Sequence, residues 1–152
     1  MNFFQTENDI LEFQGEYRWL SNFEPCLIIL DNITYKSVEH AYMSARNDSP
    51  EWKMFCQKTQ PPGKIKIASK SITDKDNWKT LKLSVMAYCL QQKFSQEPFK
   101  TKLLNTGDCY IQEGNNWGDT FWGVCLKTNK GENKLGHMIM NIRLDLQNNE
   151  NT

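Results

Sequence analysis

Histidine is scarce in this 152-residue chain: only His40 and His137 occur, far apart in sequence. The five cysteines (Cys26, Cys56, Cys89, Cys109, Cys125) contain no C-x-x-C pair. A zinc site of ordinary ligand spacing is therefore not expected, and neither a metal nor a cofactor is anticipated. Four of the cysteines lie in apolar surroundings and are expected to be buried thiols, which suits a reducing cytoplasm. No apolar run approaches the roughly 20 residues that span a bilayer. The opening MNFFQTENDI lacks the basic-then-apolar order of a signal peptide. Net charge is absent as well, since Lys plus Arg and Asp plus Glu both total 18. A protein that mainly grips long nucleic acid gains from a basic surface through counterion release, so that class is disfavoured. A small phosphorylated ligand needs only a few placed cations. Repeats and long linkers are missing too. The 39% hydrophobic content can supply a core, and one domain over residues 1–152 is expected.

What is present reads as α+β, mostly helical, with a small antiparallel sheet. "CLIILDNITYK" is two β-rich runs around Asp31-Asn32, a tight hairpin. "ILEFQ" and "CYIQE" are candidates for further strands. Ser37 suits the N-cap of "VEHAYMSAR", and Ser49-Pro50 repeats that start for "EWKMFCQK". Pro61-Pro62-Gly63 breaks the chain. The longest helix is predicted over Asp76 to Phe94. Trp78, Leu81, Val85, Tyr88 and Cys89 make one stripe, and Leu83, Met86, Leu90 and Phe94 another, so cover on several faces is expected. "EPFKTKLLNTG" reads as a short helix closed by Gly107, and Leu135, Met138, Ile139, Ile142 and Leu146 mark a closing amphipathic helix. Lys64, Lys66, Lys70, Lys75, Lys79 and Lys82 crowd one stretch, which reads first as a solvated face.

Four segments carry residues that these elements do not require. "GEYRWLSNFEP" sets Tyr17, Trp19 and Phe23 around Arg18, Ser21 and Asn22. "SVEHAY" places Glu39 in a first helical turn, where a carboxylate also simply suits the dipole. "EGNNWGDTFWG" holds Trp117, Gly118, Asp119, Phe121 and Trp122 in a stretch with neither helical nor strand periodicity. "GENKLG" puts Asn133 at a helix start, where capping alone would explain it.

Together, "LSNF" (20–23), "EHAY" (39–42), "KF" (93–94), "LLNTG" (103–107), "WGD" (117–119), "FWG" (121–123) and "GENKLGHMIMNIR" (131–143) resemble the NADAR family. The likeness runs from about Phe13 to Arg143. It implies a NADAR-like fold and hydrolysis of the C1′–N bond between a phosphorylated ribose and a nitrogenous group. In one branch the substrate is an early amino-pyrimidine intermediate of riboflavin synthesis; in another it is ADP-ribosylated guanine in DNA or RNA. Breaking that bond builds positive charge on the sugar, so a fixed carboxylate stabilises the transition state. Aromatic walls stack on a flat base, and an acid in an apolar pocket can hold a proton for the leaving nitrogen.

Glu39 and Asp119 are then the expected catalytic carboxylates, with Trp117 and Trp122 walling the pocket. Arg18, Ser21, Asn22, Phe23, Trp78, Gly118, Phe121 and Asn133 are expected to bind substrate with them, although the helical stripe already accounts for Trp78. All these segments are expected to converge on one pocket. Ring-opened ribose could alternatively form a Schiff base with a lysine. Where many relatives carry a lysine, this chain has Arg46, which stays protonated but can bind phosphate. Lys66, or its neighbour Lys64, is the remaining candidate amine. The rival reading is a non-catalytic module that binds ADP-ribose or another nucleotide. No membrane association is expected.

Overall fold

The computed structural model describes residues 8–150. The chain forms two compact units: Asn22–Gln96, and the described parts of Met1–Ser21 with Glu97–Thr152. Its class is α+β and mostly helical, as the sequence implies.

Asn22–Gln96 opens with an antiparallel hairpin, β1 (Ile28–Leu30) and β2 (Ile33–Tyr35). Asp31 and Asn32 both take left-handed backbone, φ 52° and 65°, which matches the twist of a two-residue hairpin turn. The open edge of β1 is satisfied by side chains. Ile29 donates its N–H to Gln92 Oε1 at 2.8 Å and accepts from Gln92 Nε2 at 2.6 Å, while Gln96 Nε2 donates to Leu27 O at 2.7 Å. Two glutamines thus stand in for a third strand.

Helix α1 (Val38–Ser44) is buried along its whole length and packs on the hairpin and three helices. Ser37 caps it by accepting from the His40 N–H. Ser49 and Pro50 start α2 (Pro50–Lys58), whose Trp52 Nε1 donates to Met43 O at 2.8 Å. The Pro-Pro-Gly break ends one helix and begins the next, α3 (Pro62–Ala68).

Helix α4 (Trp78–Phe94) starts two residues later than Asp76 and is not covered all round. Its buried stripe is Met86, Cys89, Leu90, Lys93 and Phe94, at helical spacing, whereas Leu83 and Tyr88 are exposed. Lys93 is the exception to the apolar pattern: its side chain is wholly enclosed, with Nζ 5.2 Å from the Phe94 ring centroid. Burial pulls its ammonium down to about 8, opposed by the nearby Cys26 and Glu24.

The other unit contains α5 (Phe99–Asn105), a parallel pair β3 (Gly114–Asn115) and β4 (Val124–Cys125), and α6 (Lys134–Glu150). Gly107, at φ 62°, closes α5 as expected. Buried Arg143 on α6 donates to Thr106 Oγ1 at 2.9 Å. The two strands anticipated at "ILEFQ" and "CYIQE" reduce to one bridge between Ile10 and Ile111. Next to it the Tyr110 N–H goes to the Asp9 side chain, at 3.0 Å, so the ladder stops there. Three cysteines are buried rather than four: Cys56, Cys89 and Cys125, with Cys26 and Cys109 half-buried, and all five are free thiols.

Candidate active site

In Asn22–Gln96 the Ser37 cap fixes the first turn of α1 and so fixes Glu39. Glu39 is 7% exposed, and its N–H donates to the Asn22 carbonyl at 3.0 Å. This bond brings the second half of "LSNF" against "EHAY". The Asn22 side chain has little of its own to bind: Nδ2 reaches only the Met86 sulfur, at 3.6 Å, and Oδ1 is buried with no hydrogen-bond partner. Turning the amide over would leave both ends wanting, because the thioether sulfur has no hydrogen to donate. An orphaned buried polar atom of this kind costs about 1–3 kcal/mol. Phe23, the next residue, lies under the Lys66 ammonium, with Nζ 5.8 Å from the ring centroid. The consecutive pair Asn22 and Phe23 is therefore touched by Glu39 through the backbone and by Lys66 at the ring. Lys64 is exposed, so of the two lysines considered in "PPGKIKIASK" it is Lys66 that joins the cluster. The basic stretch as a whole is not just a solvated face.

One turn along α1 from Glu39 comes Tyr42, and Arg46 follows just beyond the end of the helix. The Tyr42 ring meets Trp78 at 5.2 Å between centroids. Trp78 is buried there, as its place in the helical stripe implied. Arg46 donates from Nε to Asp74 at 2.6 Å, and Nη1 lies 3.3 Å from the Met43 sulfur. This ion pair orients the guanidinium and uses part of its charge.

The other unit holds Arg18, Ser21 and the Trp-Gly loop. Arg18 is exposed, its carbonyl accepting from the Ser21 N–H. The loop is organised by Asn115, a buried residue not singled out in the sequence. Asn115 Oδ1 accepts from the Trp117 and Asp119 N–H groups, at 3.3 and 3.0 Å. Its Nδ2 donates to the Asp119 carbonyl and to Glu113 Oε2, at 2.9 and 3.1 Å. Asp119 Oδ1 in turn accepts from the N–H groups of Phe121 and Trp122, at 3.1 and 3.0 Å. The loop is thus two consecutive side-chain-to-backbone turns.

Trp117 projects outward at 61% exposed, beside Gly118 at φ 84°. Phe121 and Trp122 are half-buried and meet edge to face, 4.9 Å between centroids. Carbonyls of Thr120, Phe121, Trp122 and Gly123 accept from the N–H groups of Glu132, Lys134, Leu135 and Asn133. The start of α6 is thereby satisfied by the loop. Asn133, buried at φ 51°, accepts from Glu113 N and donates to Tyr110 Oη and Ile111 O. Its amide ties the helix start to residues 110–113. Among the described residues, no group of three or more His, Cys, Asp or Glu could hold a metal, and no helix is long and apolar enough to cross a membrane.

The NADAR domain pattern matches residues 3–147 of this sequence. The chain belongs to the NADAR family. It is 26% identical over 152 residues to N-glycosidase YbiA of Escherichia coli, covering 96% of this chain and 88% of that protein. It is 27% identical over 138 residues to an N-glycosidase of Nostoc punctiforme, covering 87% of each. A riboflavin biosynthesis protein of Vibrio vulnificus is 28% identical over 132 residues, covering 85% of this chain. The NADAR chain spans only 35% of that protein's length. In fold it matches the NMR structure of Escherichia coli YbiA with a TM-score of 0.82 at 24% identity, covering 95% of this chain and 89% of that one.

Proposed function

We propose that this protein hydrolyses the N-glycosidic bond between C1′ of a phosphorylated ribose and a nitrogenous group. The observation that carries this reading is the buried Glu39, whose N–H holds the carbonyl of Asn22, a residue whose buried amide oxygen is unsatisfied. A reader of anionic nucleotides gains nothing from a buried carboxylate, whereas a sugar supplies hydroxyl donors for Asn22 and a developing cation for Glu39. The relatives named N-glycosidases support the same reaction class.

In the reaction the C1′–N bond breaks and its electron pair leaves with nitrogen, which takes up a proton. Glu39 stabilises the positive charge on the sugar and accepts a proton from the water that adds to C1′. Lys66, held against Phe23, faces the substrate as a cation; it is also the amine for the covalent alternative, a role closed to Arg46. Arg46 offers its remaining donors to the phosphate. Asp119 belongs to this reading as a second carboxylate.

A small ribosyl phosphate carrying an amino-heterocycle, as in early riboflavin synthesis, is favoured over ADP-ribosylated guanine in nucleic acid. The net charge of zero and the name of the Vibrio vulnificus relative both point that way. Five free thiols suit a cytoplasmic location. Incubation with both substrate classes side by side, followed by chromatography, tests the proposal. Free ribose 5-phosphate is expected from the first. ADP-ribose from the second alone would reverse the choice of substrate, and release from neither would remove the reading.

A further inference from the structure

A cavity of about 390 Å³ opens within Asn22–Gln96, sharing Phe23 with the Glu39 cluster. Its size is at the lower end for ligand pockets. Phe23 offers a flat ring, and Pro25, Leu27 and Pro62 add saturated apolar walls. Burial pushes the thiol of Cys26, also in the wall, upward, so that it stays protonated and adds no charge. Lys36 and Gln60 supply polar groups, one ammonium and one amide with both a donor and an acceptor end.

The wall is built rather than incidental. His40 Nε2 lies 2.8 Å from Thr59 O and 3.1 Å from Gln60 O. Carbonyls only accept, so Nε2 carries the hydrogen, and Nδ1 accepts from Ser37 Oγ at 2.6 Å. A neutral imidazole thus ties the Gln60 backbone to the capped start of α1.

We propose that this cavity seats the flat nitrogen heterocycle that leaves C1′, rather than the phosphate. A phosphate would carry its charge against largely apolar walls with a single ammonium to meet it, an expensive transfer. A neutral heterocycle stacks on Phe23, accepts from Lys36 and pairs with the Gln60 amide. Two of the lining residues adjoin the proposed catalytic turn: Phe23 follows Asn22, whose carbonyl holds the Glu39 N–H, and His40 follows Glu39. The cavity thus lies next to the turn that carries Glu39, where the group leaving C1′ would be placed. The proposal rests on the N-glycosidase reading for the identity of the ligand.

The test is a pair of titrations of the full chain, followed by amide NMR: adenine as the soluble heterocycle probe, and ribose 5-phosphate. Adenine is expected to shift the Cys26, Leu27 and Gln60 amides, and ribose 5-phosphate is expected to leave them in place. Leu27 is 63% exposed and Gln60 is exposed, so Leu27→Arg and Gln60→Ala should fold. Each is expected to weaken adenine binding by about tenfold or more, the scale of one lost contact. No shifts with adenine at millimolar concentration, the same shifts with ribose 5-phosphate, or unchanged adenine affinity in both variants would each overturn the assignment. Failure of the activity is separable from failure of the subsite. Adenine bound here with no glycoside cleaved leaves a heterocycle site and removes the hydrolase. Cleavage with wild-type KM in both variants does the reverse.

Discussion

Glu39 and Asp119 are the two acids that the sequence singles out, and their surroundings differ. Glu39 is buried on a short, fully enclosed helix, beside an asparagine whose amide oxygen has no partner. Asp119 spends one carboxylate oxygen on the N–H groups of Phe121 and Trp122, inside a loop that Asn115 already pins. Under the proposed function, the helix-borne Glu39 is the acid that serves the substrate. A loop carboxylate that accepts two backbone bonds has a structural task whether or not it has another. The aromatic residues differ likewise: Phe23 lines a cavity and meets a lysine, whereas Trp117 is largely exposed.

The largest effect that would sharpen this contrast is on turnover. Glu39→Gln should lower kcat by about a hundredfold or more with little change in substrate affinity, because the charge acts in the transition state. Steady-state kinetics on the folded variant checks this, and wild-type turnover would move the chemistry elsewhere. Next is Asn115→Ala, which removes four hydrogen bonds from a buried site. It should cost about 2 kcal/mol or more, a fall of about 4–8 °C in Tm.

Asp119 should divide by substitution. Asp119→Asn keeps the accepting oxygen and should stay within about 0.5 kcal/mol of wild type, while Asp119→Ala should lose about 1 kcal/mol. If Asp119→Asn also loses about a hundredfold in turnover, the loop acid is catalytic as well and the contrast narrows.

A pH effect follows from His40. Burial holds its pKa below the ordinary value, with the Thr59 and Gln60 carbonyls opposing. The unfolded imidazole therefore takes its proton first, so stability should fall as pH drops below about 6.5. Thermal melts of wild type and His40→Asn across that range should show a smaller pH dependence in the variant. The smallest effect is expected for Trp117→Ala, within about 0.5 kcal/mol of wild type, as befits an exposed residue. A larger loss in a thermal melt would mean that the ring is part of the core after all.

Legibility in the sequence followed the range of the interactions involved. The Asp31-Asn32 turn, the Ser37 and Ser49 caps and the Gly107 stop depend on a few adjacent residues, and each appears where local chemistry puts it. Glu39 and "LSNF" stood out because they were polar or aromatic beyond what their elements needed. Asn115 did not, since its four bonds reach into irregular backbone that no periodicity describes. Lys93 was hidden for the opposite reason: on a helix it reads as solvated, and only packing reveals that it is enclosed. The expected strands failed because pairing is a long-range property. Ile10 finds Ile111, but an aspartate side chain takes the neighbouring amide and the ladder ends. Leu83 and Tyr88 show the same limit, apolar residues that suggested full cover and are exposed in part.

The central claim is that this NADAR chain breaks a C1′–N bond and does not merely hold a nucleotide. Real-time proton NMR of a ribosyl phosphate amino-heterocycle mixed with the wild-type protein tests it most directly. The substrate's anomeric signal should decay as the α and β anomers of ribose 5-phosphate and the free heterocycle grow in equal amounts. Ligand signals that broaden or shift on binding, with no new anomeric resonances from either substrate class, would contradict the account and identify a binding module.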